Sequence, residues 1–243
     1  MEKHKIEKIP MSPEIVLEVF HRRYRIKKQV NIVISCLIVL LGVSSFIYGL
    51  HIEPGVTIFR FMTVDGTLFM TFGAIVFIAV NTVEILRRTE LTSELVYYIR
   101  LSGAVAESII FIVVVTSHLP FFSEHLTMFD RYDSFVMHVL IPILGISSFV
   151  LNDSPIGRPG ALKLLNGTWF ITVYAVIIFS LIASRALASE QIPYFFLDYR
   201  NTPPSLLVTA FVFIYGAAWL MSMYLAQLNR RLSWIWFRDI ARD

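Results

Sequence analysis

The sequence predicts an all-α fold: a polytopic integral membrane protein of six transmembrane helices with both termini cytoplasmic. Three observations lead there. Hydrophobic residues make up 56% of the 243 residues and charged residues only 16%, against about 45–50% and about 25% in an ordinary soluble domain. The mean hydropathy is +0.67. The apolar residues fall into six long runs with few charges, and about 20 such residues cross a bilayer's hydrocarbon core. Backbone groups in lipid must be satisfied within the segment, so the runs are read as helices.

Residues 1–29 form a basic N-terminal segment. Ile15, Val16, Val19 and Phe20 recur there at helical spacing after Pro13, which predicts a short amphipathic helix over Glu14 to Lys28 lying on an anionic membrane surface. No signal peptide is recognised, because the charged stretch precedes the first apolar core. Residues 30–228 form the transmembrane domain. Its six runs lie near 30–50, 63–83, 96–116, 133–151, 168–187 and 205–228. Turn signals separate them: Glu53-Pro54-Gly55, Pro120, Asn152-Asp153-Ser154-Pro155, Pro159-Gly160 and Pro203-Pro204. Residues 229–243 form a C-terminal tail, in which Trp234 and Trp236 read as interfacial anchors.

Lys and Arg set the orientation. Seventeen of the 21 fall on one side, in the N-terminal segment, the loops near 84–95 and 152–167, the start of the third helix and the tail. The other side has only Arg60, Arg131, Arg185 and Arg200. Both termini are therefore expected in the cytoplasm. The net charge of +3 reads as topology, and no nucleic-acid partner is expected. A single cysteine, Cys36, excludes an intramolecular disulfide and a multi-cysteine metal site.

Ionisable groups inside membrane helices are functional candidates by default, because burying them is costly. Asp65, Glu107 and His138 lie within the runs. The second and fourth helices run in the same direction, so Thr63 and His138 fall at similar depth near the outer end. Arg60 precedes Thr63 by about one turn and shares its face. Tyr194 and Asp198 occupy the last outer loop. A hydroxyl, an imidazole, a cation and a carboxylate from distant parts of the chain thus share one level. Imidazole suits a base that takes a hydroxyl proton near neutral pH, and Arg60 or a tyrosine suits a developing oxyanion. These ingredients fit acyl transfer to water.

Three motifs resemble a known family. Arg60-Phe61-Met62-Thr63, Met137-His138-Val139-Leu140-Ile141-Pro142 and Ile192-Pro193-Tyr194-Phe195-Phe196-Leu197-Asp198 resemble, in order and helix assignment, motifs of the androgen-inducible membrane hydrolases. Those enzymes cleave fatty acid esters of hydroxy fatty acids. Ile99-Arg100 before the third helix also fits. The last motif is still more similar to the form found in related bacterial six-helix membrane proteins. The resemblance spans roughly residues 30–228. It implies a six-helix fold in a cell membrane, with Thr63 as nucleophile, His138 as base, a lipid ester as substrate and no cofactor or metal. Arg60, Asp65, Tyr174, Tyr194 and Asp198 are then candidates for binding or orienting the substrate; Tyr174 sits where the family is aromatic. Asp65 departs from the family in standing two residues after the threonine instead of one turn on. Pro142 follows His138 by four residues, as in the bacterial branch.

Two other classes stay open. Glu107 at mid-bilayer suits a transporter or small-molecule receptor. His51, His118, His125 and His138, with Asp130 and Asp133, lie toward one side as in a metal-dependent hydrolase, although no H-E-x-x-H spacing is present. No G-x-S-x-G elbow and no phosphate-binding glycine loop occurs. Oligomeric state is not legible.

Overall fold

Six helices long and apolar enough to cross a membrane make up the bundle. The structure is a computed structural model that describes residues 13–89, 91–118, 130–155 and 157–237. The helices are α1 (Pro13–Ile52), α2 (Met62–Arg87), α3 (Glu94–Val113), α4 (Tyr132–Asn152), α5 (Trp169–Ala183) and α6 (Pro204–Leu232). A 3₁₀ turn at Lys163–Thr168 leads into α5, and another at Ser233–Phe237 ends α6. No strand occurs among the described residues. Successive helices alternate in direction. One end of the bundle therefore holds α1's start, the α2–α3 and α4–α5 connections and α6's end. The opposite end holds the α1–α2 and α5–α6 connections.

The N-terminal stretch differs from its expectation. From Pro13 onward it is continuous with the first apolar run as one 40-residue helix, with no turn to separate a surface helix. The physical reason lies in its last basic residues. Lys27 and Lys28 are buried, at 2% and 1% exposure, and Lys28 Nζ lies 2.7 Å from Glu84 Oε2 of α2. Glu84 Oε1 in turn accepts from the N–H groups of Leu91 and Thr92 and from the Thr92 hydroxyl, each at 2.7 Å. One carboxylate so neutralises a buried ammonium and closes the α2–α3 turn.

Beside it lies a closed ring of buried polar groups. Arg100 Nε and Nη2 of α3 donate to the two carboxylate oxygens of Asp153, at 3.0 and 3.4 Å. Nη2 also donates to Ser148 Oγ of α4 at 2.7 Å. Ser148 donates to Asn31 Oδ1 of α1 at 2.7 Å, and Asn31 Nδ2 returns to Asp153 at 3.0 Å. The guanidinium lies 4.8 Å from the Phe77 ring of α2. Asn229 of α6 donates to the carbonyls of Phe149 and Asp153 at 2.8 and 2.9 Å, satisfying orphan acceptors at α4's C-terminus. The N–H of Phe170, in α5's first turn, donates to Ser102 Oγ of α3 at 2.8 Å. All six helices are thereby tied at the end that bears the termini.

The middle of the bundle is close-packed on small residues, as expected where helices meet without hydrophobic contrast. Met70 of α2 fills the space between Gly103 of α3 and Gly145 of α4. A Cβ at Gly145 would come 2.5 Å from the Met70 Cε.

Removing one partner of a buried pair leaves the other charge uncompensated, at about 3–5 kcal/mol. Arg100→Met is therefore expected to lower the unfolding temperature in detergent strongly, while Arg100→Met with Asp153→Leu recovers part of the loss. Lys163→Ala, which breaks an exposed pair with Glu94, shifts it far less. Equal unfolding temperatures for Arg100→Met and wild type would remove the ring from its structural role.

Candidate functional site

The end opposite the termini is built around the first turns of α2 and α4. Before α2, Gly55 takes a left-handed φ of 94° and a 3₁₀ turn covers Val56–Arg60. Phe61 is extended and α2 starts at Met62. The Tyr174 hydroxyl of α5 donates to the Arg60 carbonyl at 2.9 Å, which fixes that turn against the bundle. Thr63 is consequently the second residue of α2. The helix's own bonds begin only with the Val64 N–H to the Phe61 carbonyl at 3.0 Å, so the N–H groups of Met62 and Thr63 belong to the unpaired first turn.

The start of α4 carries the second component. Pro142 has no N–H to give the carbonyl four residues back, which is that of His138. Local bonding widens to a π turn over Val136–Leu140, in which the Ile141 N–H reaches the Val136 carbonyl. Such single π turns recur at functional sites. Thr63 Oγ1 and His138 Nε2 lie 3.2 Å apart.

The other ring nitrogen settles the direction of that hydrogen bond. His138 Nδ1 lies 2.8 Å from the Ser134 carbonyl oxygen and 3.2 Å from the Ser134 hydroxyl. A carbonyl only accepts, so Nδ1 of the neutral ring carries the proton and Nε2 presents its lone pair. The Thr63 hydroxyl then donates to Nε2. Hydroxyl, imidazole and an orienting acceptor stand in line, with a backbone carbonyl as the third member.

The pair opens on a cavity of about 700 Å³. Its polar lining includes Glu53, Arg131, Asp133, Ser134 and Tyr194, and Ile110, Val113, Val114 and Met137 give apolar wall. Arg131 grips Asp133 with two bonds of 3.2 and 2.7 Å, and hydrogen bonding to that carboxylate raises the guanidinium pKa further above its ordinary value. Tyr194 stacks on Phe196 with centroids 5.6 Å apart. Burial raises its phenol pKa above the usual value, which keeps the hydroxyl a neutral donor.

The remaining expected residues separate. Arg60 does not line the cavity: it pairs with Glu53 at 3.1 Å and covers the Phe61 ring at 4.6 Å. Tyr174 is engaged with the Arg60 backbone. Asp198 accepts from Asn201 Nδ2 at 2.7 Å and from the Arg200 N–H at 3.3 Å, shaping a turn away from the pair. Asp65 is buried, and its Oδ2 has no partner among the described residues. Glu107 is wholly buried with neither oxygen partnered among them. It lies beneath the cavity: a Cβ on Gly66 would meet Glu107 Oε1 at 3.8 Å and the cavity-lining Ile110 at 2.6 Å.

Sequence reasoning missed Arg131 and Ser134 as site residues and treated Asp133 only as a helix end or metal ligand. The i, i+4 spacing of Ser134 and His138 was the available signal. Of the histidines considered as ligands, His51 is exposed, while His125 and the His118 side chain lie outside the described residues. No group of three or more His, Cys, Asp and Glu side chains suited to a metal converges among the described residues.

No protein-family model, characterised protein or solved structure matches the chain.

The geometry makes a direct prediction about His138. In ¹⁵N-histidine-labelled protein at neutral or mildly alkaline pH, its signal, assigned by its loss in His138→Gln, is expected to show the Nδ1–H tautomer. A predominant Nε2–H tautomer would reverse the Thr63 hydrogen bond.

Proposed function

We propose that the chain is an integral membrane hydrolase of lipid esters. The Lys and Arg distribution puts both termini in the cytoplasm, so the Thr63–His138 cavity faces the outer leaflet, and a fatty-acyl substrate enters it from the bilayer. The observation that carries this reading is the 3.2 Å approach of Thr63 Oγ1 to His138 Nε2 with Nδ1 committed to the Ser134 carbonyl. The motif resemblance to the androgen-inducible hydrolases and their bacterial relatives supports the same two roles.

In this mechanism His138 Nε2 takes the Thr63 proton as Oγ1 bonds to the ester carbonyl carbon. The carbonyl oxygen becomes an oxyanion, met by the Tyr194 hydroxyl and the free N–H groups at α2's first turn, where the helix dipole favours negative charge. Collapse breaks the ester C–O bond, and the imidazolium returns its proton to the departing alcohol. Water, deprotonated by the same imidazole, then releases the acid and restores Thr63. Arg131 replaces Arg60 as the guanidinium beside the reacting groups. Tyr174 and Arg60 hold the turn that positions Thr63.

A second reading rests on Glu107, whose partnerless carboxyl in the bundle core suits proton-coupled transport. Proton-driven uptake into vesicles that is lost in Glu107→Gln would favour it.

The hydrolase reading predicts labelling of the detergent-solubilised protein by a fluorophosphonate probe, with the adduct on Thr63 and no labelling of Thr63→Ala. His138→Ala is expected to slow labelling and ester turnover roughly 10²–10⁴-fold, the usual worth of a general base. A base must be unprotonated to act, so the rate rises with pH across the range of about 5 to 8 in which histidine titrates. Absence of labelling in folded wild type, or a flat pH profile, would count against the mechanism.

A further inference from the structure

A second cavity, of about 340 Å³, lies at the end that bears the termini. Its walls come from α3's first turn, the α4–α5 connection and the last turns of α6. Tyr97, Gln227 and Arg230 are its polar side chains, and no carboxylate lines it.

Tyr97 is 2% exposed. Its ring is fixed between Tyr98 and Phe149, with centroids at 5.7 and 5.4 Å, yet its hydroxyl makes no hydrogen bond among the described residues. Its ring is buried while the hydroxyl oxygen keeps access to the cavity. The Asp153 carboxylate and, less strongly, Arg230 stand within electrostatic range of that hydroxyl, and Arg230 forms no ion pair among the described residues. The nearest carboxylate of the core, Asp153, is already filled by Arg100 and Asn31. A phenol, an amide and a guanidinium thus present donors to one half-open space. Their complement is an anion with several acceptor oxygens. A guanidinium fork, an amide and a phenol supply separate donors for the three oxygens of a phosphate.

We propose that this cavity binds a phosphate group through Arg230, Gln227 and Tyr97, carried either by a phospholipid headgroup or by free phosphate. The site is independent of the Thr63–His138 cavity and of its chemistry.

The test is calorimetric titration of the full chain in neutral detergent with inorganic phosphate and, separately, with dihexanoyl phosphatidic acid. Arg230→Gln is expected to weaken binding roughly tenfold or more, the scale of a lost charge-assisted hydrogen bond. Tyr97→Phe, which removes only the hydroxyl, is expected to weaken it several-fold. Arg231→Gln deletes the same charge one residue on, at an exposed position that does not line the cavity, and is expected to change affinity less than twofold. Binding of inorganic phosphate with this pattern assigns the site to the free anion. Binding of phosphatidic acid alone, with the same pattern, assigns it to a lipid. No binding of either by wild type would overturn the proposal, as would equal weakening by Arg231→Gln. Thermal unfolding checks each variant, and Tyr97→Phe carries the test if Arg230→Gln does not fold.

Discussion

The Arg100–Asp153 pair organises the bundle. In a chain this apolar, few contacts distinguish one helix arrangement from another, since any leucine face packs acceptably on any other. A buried guanidinium is different. It must find acceptors in fixed directions or lose several kcal/mol. Arg100 finds them on Ser148 and Asp153, and Asn31 closes the circuit. That requirement fixes the register of α1, α3 and α4. Asn229 and Lys28 add α6 and α2 under the same constraint. The ring thus decides which apolar packing is adopted, while the apolar surface supplies most of the favourable energy.

Concentrating these bonds at one end leaves the other free to be open. There the helix starts are held by lighter means: a tyrosine on one carbonyl, a surface ion pair and a π turn. Pro142 is the main local cause. By removing one N–H it reshapes α4 where His138 stands, so that a residue adjacent in the sequence to ordinary helix is offered at an unusual angle. Rigidity below and irregularity above suit the proposed site, in which an imidazole and a hydroxyl stand 3.2 Å apart at a cavity.

The number of helices, their approximate limits and the shared level of Thr63 and His138 were legible in the sequence because they depend on run length and alternation of direction. Both are properties of a one-dimensional pattern. The destination of individual side chains was not. Arg60 and Arg131 are equivalent by composition and by end of the bundle. Only the packed structure shows that Glu53 and Phe61 draw the first away while Asp133 holds the second on the cavity. Lys28 shows the same limit. It reads as one more topogenic charge until α2 brings Glu84 beside it. Tyr174 was placed correctly on α5, but its action through a carbonyl depends on a turn conformation set by Gly55.

Partnering separates scaffold from site more sharply than burial does. Arg100, Asp153, Asn31, Ser148 and Glu84 are deeply buried and matched, and their role is to specify the fold. The His138 ring has one nitrogen committed to Ser134 and the other on an ionisable hydroxyl. A neutral imidazole needs an acceptor for its N–H and a donor for its other nitrogen, and the Thr63 hydroxyl is that donor here. Tyr97 and Arg230 present their donors to a half-open cavity with no hydrogen-bond partner among the described residues. Two carboxyls of the helix-bundle core, those of Asp65 and Glu107, likewise carry oxygens without partners among the described residues, and both Glu107 and the cavity-lining Ile110 approach Gly66. Ile110 lines the cavity and Glu107 does not, so the Glu107 carboxyl belongs to the core beneath the proposed site and not to the cavity itself.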